Sequence, residues 1–478
     1  MVFLAVAVVT ALVYAVWVLS VPLLPDNLYI PLLDLGKITG YRWPSAILYL
    51  LSVLVLFGLY AVGYQRIVQR RSIAMPAIFA AGALFCFELV WAYPATAADV
   101  FGYIAHGRLL ALHQVNPFIV APSAYPGDPI NSFLAYPDEP SQYGPIWVLI
   151  GGAFATVAQG DLLKDVLLYK AIAAVAHLGG AGLILLIARR LSRDPAMAQA
   201  SAYLYLWNPM LLWEMVANAH NDGVMMFFGL AGVWLLVAGF DLLVLGAVAA
   251  GTLVKVPVAL IAPSLFVGLW RRKWPRAVEA AALGLALCVV VYRPFWEGVD
   301  TLTALRRTDL FTASLGSVLR IVLEPWLGAD ASVIARTISL SAFAVVAVLA
   351  LVYAIQAQDD RQLLRAAYVT LLGGLLLATT WFQAWYVVWP LALGAALAEP
   401  RRHLEVALLS LGGLLQYFVF IYLWVMDVFP QGENLGVQAA AYLAIIGPLL
   451  LGLLVRVSFS RGNASCAASA DGRIALRR

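Results

Sequence analysis

Runs of about twenty apolar residues, parted by short polar breaks, recur along most of this chain, and about twenty is the length that carries a helix across a bilayer. They stand near 2–23, 45–65, 75–93, 166–188, 197–215, 223–240, 276–293, 332–356, 405–426 and 437–456. Two longer stretches, 242–270 and 366–398, are interrupted by polar residues or proline and predict pairs of short helices turning back near the outer surface. The pattern predicts an all-α, polytopic membrane protein with about 14 transmembrane helices. The first run has no basic residue ahead of it and is long for a signal peptide, so it predicts a span.

Composition agrees: 63% of the 478 residues are hydrophobic and 12% charged, against roughly 25% charged in soluble domains. The net charge of +4 says less than its placement. Basic residues gather at Arg66/Arg70/Arg71, Arg189/Arg190/Arg193, Arg271/Arg272/Lys273/Arg276, Arg361/Arg365, Arg401/Arg402 and Arg473/Arg477/Arg478. Basic loops stay cytoplasmic. One arrangement puts all six groups inside, with both termini cytoplasmic, provided that 143–160 lies at the outer interface without crossing. The expected organisation is one transmembrane unit over 1–457, a long outer loop at 94–165 and a disordered cytoplasmic tail at 458–478. Cys86, Cys288 and Cys466 have no metal-type spacing and read as small apolar residues.

The loop 94–165 is rich in proline, aromatic and charged residues, and long loops in compact proteins are usually functional. Asp99 opens it, ahead of a helical pattern from Asp99 to Leu112 that predicts an amphipathic interfacial helix. An N-cap carboxylate is the competing reading. Tyr143 sits in a Tyr-Gly-Pro turn. The turn containing His220, Asn221 and Asp222 is polar at the outer end of an apolar run, which favours a cavity lining; His220 reads as a hydrogen-bonding group before a metal ligand. Lys255 lies between apolar residues at a break, either snorkelling or facing an anionic ligand such as a lipid phosphate. Arg306 and Arg307 suit phosphate oxygens, or a solvated loop. Gln383 and Trp385 sit in an aromatic turn that reads as a membrane belt or a wall on which sugars stack. All of these fall at the outer surface under one topology.

The ordered motifs ADVFGYIAHGRLLALHQVNPF, SQYGPIW, NAHND after LWNP, LVKVP and WFQAWYVVWP, across roughly 75–400, resemble polyprenol-phosphate-mannose-dependent α-mannosyltransferases. These are membrane glycosyltransferases of the GT-C superfamily. The resemblance implies a GT-C fold with interfacial helices in the first long outer loop, and an acidic residue there acting as base, matched here by Asp99. Apolar spans 2–23 and 45–65 stand ahead of the run 75–93 that enters that loop, more than many members have.

It further implies transfer of a sugar, mannose before glucose or arabinose, from a polyprenyl-phosphate carrier to an acceptor hydroxyl on an extracytoplasmic cell-envelope glycan or lipid-linked glycan. The phosphate leaves as a stable anion, so Lys255, Arg306 and Arg307 are the expected phosphate contacts. Asp222, His220, Asn221, Tyr143, Gln383 and Trp385 are the expected substrate contacts. One carboxylate suffices as base, and a single displacement inverts the anomeric centre. No cofactor is required and no sequence cluster demands a divalent metal; nucleic acid is not an expected partner. A transporter or flippase of lipid-linked or small polar substrates is the alternative, although polar groups crowding one surface fit it less well than midplane ionisable groups would.

Overall fold

The computed structural model describes residues 1–69, 73–306, 310–429, 435–452 and 454. The expected tail lies outside the described residues, as does Arg307. Among the described residues the chain is built of helices, with only isolated bridges between extended residues. Apolar runs without backbone partners elsewhere must satisfy their N–H and C=O groups internally, which a helix does. Each of the fourteen apolar segments expected from the pattern is helical over its described residues, in one piece or broken. By length and composition, seven described helices could cross a membrane, or up to eight if one bent pair is a single span. That pair, Pro195–Ala217 and Asp222–Ala238, bends by 118°. Met75–Leu89 and the halves of the two broken stretches are shorter.

The surface is that of a protein solvated by lipid. Leu4, Val16, Leu48, Val345 and Leu349 are each more than half exposed, on helices Val2–Ser20, Trp43–Val68 and Asp330–Gln356. Apolar exposure on this scale needs an apolar solvent. Inside this shell, every residue from 200 to 226 is buried, so the bent pair forms the spine of the molecule.

Two ends of the bundle differ in character. At one, Arg272 pairs with Asp241 and Asp360, Arg361 donates to the Leu191 carbonyl, and Arg365 and Arg402 pair with Glu399. Four of the basic groups thus share one end. Leu162–Leu191 runs from there to the other end, about 45 Å at 1.5 Å per residue. At that far end lie the 94–165 loop, the 253–255 break, the 293–301 segment and the 379–386 turn. Asn116 donates to the Phe295 carbonyl at 2.8 Å, Tyr136 packs edge-on against Trp381, and Gly144 N–H donates to Val254 O at 2.9 Å.

The first loop helix, Asp99–Ala111, departs from the expected amphipathic pattern. Tyr103, Ala105, His106, Gly107 and Leu109 are all buried, so protein covers it on nearly every side. Its partner is Pro145–Ala158, which at 14 residues is too short to cross a hydrocarbon core of about 30 Å. The two meet where Gly107 faces Gly151, so closely that a Cβ at Gly107 would collide with the Gly151 backbone. Glycine is required there by the approach of two backbones.

Candidate active site

Asp99 is the first helical residue of Asp99–Ala111; Ala98 holds the cap position, and no side chain caps the helix. The N-cap reading is therefore corrected. The carboxylate turns away from its own helix: Oδ2 accepts from the Tyr143 hydroxyl at 3.4 Å and lies 3.6 Å from His220 Nδ1. Its side chain keeps 29% exposure, on a cavity of about 170 Å³ that Tyr143, Lys255, Trp381, Trp385 and Tyr386 also line. Burial pushes the Asp99 carboxyl up; Lys255 opposes this, the charge of Asp222 adds to it, and the Tyr143 hydrogen bond opposes it, leaving it at about 6. A carboxylate with that value is ionised at neutral pH and still able to take a proton.

Backbone pairing sets Tyr143 beside Lys255. Gly144 N–H donates to Val254 O at 2.9 Å and Ile146 N–H to Leu253 O at 3.0 Å. A Cβ at Gly144 would strike the Leu253 carbonyl, which explains the glycine of Tyr-Gly-Pro. Lys255, at the break, sends Nζ to Asp222 Oδ2 at 2.7 Å, and the ammonium sits 4.9 Å from the Tyr386 ring centre and 5.8 Å from that of Tyr143. The Trp389 indole N–H donates to Asp222 Oδ1 at 2.7 Å. Both oxygens of Asp222 are thus engaged by the protein, and the residue is fully buried. It stands behind the cavity wall as the counter-ion of Lys255.

His220 is also fully buried, stacked on Trp385 with ring centroids 3.9 Å apart and 16° between planes. Ala219 before it adopts φ 59°, a left-handed conformation that costs a non-glycine residue about 1 kcal/mol. Asn221 is placed by Tyr103, whose hydroxyl meets its Oδ1 at 3.4 Å. Burial pushes the His106 imidazole, on the cavity wall, down to about 4, and its contact with the Glu139 carbonyl only partly offsets this.

The cavity therefore gathers Asp99, Tyr143, Lys255 and Trp385, with His220, Asn221 and Asp222 directly behind. Gln383 precedes the short Ala384–Val387 helix and is not among the lining residues. Arg306 closes the Gly298–Arg306 helix by its backbone; its side chain is outside the described residues. Reading the sequence by motif set Trp381 and Trp389 in the aromatic turn without assigning either a contact, and missed the role of Glu214 and of Thr96, which donates to it at 3.5 Å. Trp385 and Trp389 are four residues apart, a spacing that puts both on one helical face. Glu214 is an acid within an apolar run, itself a functional signal.

A carboxylate, a cation and an aromatic wall around one cavity of a helical membrane protein fit a membrane glycosyltransferase of the GT-C type, and the family of the chain supports that class. The chain belongs to the MptA_B family, described as alpha-(1->6)-mannopyranosyltransferase, N-terminal domain, whose model matches residues 3–272. Alpha-(1->6)-mannopyranosyltransferase A of Mycobacterium tuberculosis is 26% identical over 374 residues, covering 72% of this chain and 68% of that protein. A probable alpha-(1->6)-mannopyranosyltransferase of Mycolicibacterium smegmatis is 25% identical over 279 residues, covering 51% of this chain and 48% of that protein.

Proposed function

We propose that residues 1–457 form one catalytic unit that moves mannose from a polyprenyl-phosphate carrier to an acceptor hydroxyl on a cell-envelope glycan, in an α(1→6) linkage. The reading rests on Asp99, a carboxylate near neutral titration on the wall of a cavity rich in aromatic side chains. The names of the relatives support mannose and the linkage; the family resemblance supports the lipid carrier.

Asp99 takes the proton of the acceptor hydroxyl as its oxygen attacks C1 of the sugar. The C1–O bond to phosphate breaks and its electron pair leaves on the phosphate. Attack from the face opposite the leaving group inverts C1, so a β-linked carrier gives an α-linked product. The developing phosphate charge is met by Lys255, 14% exposed at the cavity, and Arg306 and Arg307 are proposed as further phosphate contacts on the sequence alone. Trp381, Trp385 and Tyr386 offer ring faces to the apolar faces of sugars. Tyr143 orients Asp99 through its hydroxyl. The basic loops support a topology with the opposite end of the bundle and both termini in the cytoplasm, and the cavity on the extracytoplasmic side.

The test is incubation of the purified chain with labelled polyprenyl-phosphate mannose, glucose or arabinose and a short α-mannan acceptor. A product from the mannose donor alone, cleaved by an α(1→6)-specific mannosidase, is expected; turnover only with another donor would overturn the assignment.

A further inference from the structure

Behind Asp99 the fully buried His220 stands between two carboxylates. Its Nδ1 faces Asp99 Oδ2 at 3.6 Å and its Nε2 faces Glu214 Oε2 at 3.3 Å. Stacking on Trp385 fixes the ring plane, and the backbone ties His220 to Glu214 through a 3.2 Å bond from His220 N–H to Glu214 O. Glu214 lies in the π-helical turn Leu212–Ala217, an irregularity that recurs at functional sites. Thr96 donates to its Oε1 at 3.5 Å and the Asn218 amide to its Oε2 at 3.1 Å.

A neutral imidazole carries one N–H and can donate to only one of the two carboxyl groups that flank it, and the relay requires Glu214 to be ionised when Asp99 takes the proton. Both ring nitrogens are buried and lack a hydrogen-bond partner in this structure, and the shorter leg favours carrying the hydrogen on Nε2, on the side of Glu214. The longer leg then leaves the Nδ1 lone pair facing Asp99, where an ionised carboxylate gives it nothing to accept. Protonation of Asp99 reverses this, because Asp99 O–H then becomes a donor aimed at a waiting lone pair.

We infer that Asp99, His220 and Glu214 form a proton relay: His220 takes from Asp99 the proton removed from the acceptor and passes its own Nε2 proton to Glu214. The inference rests on Asp99 acting as the base. The balance is closed: the acceptor oxygen gains C1 and loses its proton to Asp99, and the phosphate leaves with its bonding pair. Asp99 then yields that proton to Nδ1, and Nε2 yields one to Glu214, so the imidazole ends neutral in its other tautomer. The reverse shift returns the proton through Asp99 to water when the product leaves. His220 and Glu214 touch no substrate in this scheme; they are positioning residues that keep Asp99 ionised during turnover.

The experiment uses purified full-length His220→Ala, Glu214→Gln and Asp99→Asn, each checked for folding by thermal unfolding in detergent. The relay predicts that kcat of His220→Ala falls at least about tenfold with little change in KM. Added imidazole should restore it, while pyrrole, of the same shape without a basic nitrogen, should not. Glu214→Gln keeps volume and one of the two acceptor oxygens while removing the group that takes the proton, and is predicted to lose kcat at least about tenfold without rescue, which carries the test if His220→Ala does not fold. Equal rescue by pyrrole, or Glu214→Gln within twofold of wild type while Asp99→Asn is inactive, overturns the relay. An active Asp99→Asn would instead remove the base assignment itself.

Discussion

At the residue scale the chemistry depends on how Asp99 is held. With its carboxyl raised to about 6, the base is ionised above that pH and lost below it. The predicted kcat/KM therefore falls on the acid side with a midpoint near 6; a midpoint near 4, the ordinary carboxyl value, would mean that Asp99 is not the titrating base. The Lys255–Asp222 pair behind it is short, with Asp222 wholly buried. Asp222→Asn leaves the ammonium without its partner, and a loss of about 3 kcal/mol is expected from thermal or denaturant unfolding. An unchanged unfolding midpoint would show that solvent reaches Lys255 freely. Asp99 and Lys255 were legible in the sequence, because an ionisable residue next to apolar runs demands a reason. Their partners were not. The Tyr143–Asp99 contact joins residues 44 apart and the Trp389–Asp222 bond residues 167 apart, and no local pattern encodes such meetings.

At the element scale the loop 94–165 is a built structure. Arg108 clamps Asp128 by 3.0 and 3.1 Å hydrogen bonds from Nε, and His113, stacked on Tyr125, reaches the same carboxylate at 3.0 Å. Burial works to raise the Asp128 carboxyl, but the bonds from Arg108, His113 and the Ile130 amide outweigh it and hold it below the usual range. A depressed carboxyl contributes stability above its ordinary pKa and loses it as pH falls through the folded value. Asp128→Asn should thus cost about 2 kcal/mol at neutral pH and less in strong acid, visible as faster proteolysis of the loop; cleavage at the wild-type rate would contradict the clamp. The element boundaries were mostly legible, including both broken stretches, since apolar runs and prolines mark them. The burial of Asp99–Ala111 was not. Its sequence mixes polar and apolar residues as an interfacial helix does, and only the Gly107–Gly151 contact reveals how closely a second helix lies against it.

At the scale of the whole molecule, basic clusters collect at one end and the cavity at the other. Reporter fusions after Asp128 and after Asp194 are therefore predicted to report opposite sides of the membrane, the second cytoplasmic; the same side for both would break the topology. The positions of the apolar segments could be read from the pattern, but seven described helices meet the test of length and composition for a full crossing. The reason is physical: a short or bent helix surrounded by other helices need not match the bilayer thickness. The central claim is that Asp99 removes the acceptor proton at this cavity. Its most direct test compares wild type and Asp99→Asn, equally folded, for transfer of labelled mannose from polyprenyl phosphate. Loss of kcat by about a hundredfold or more, with donor binding retained, is predicted; transfer by Asp99→Asn at the wild-type rate would contradict the account.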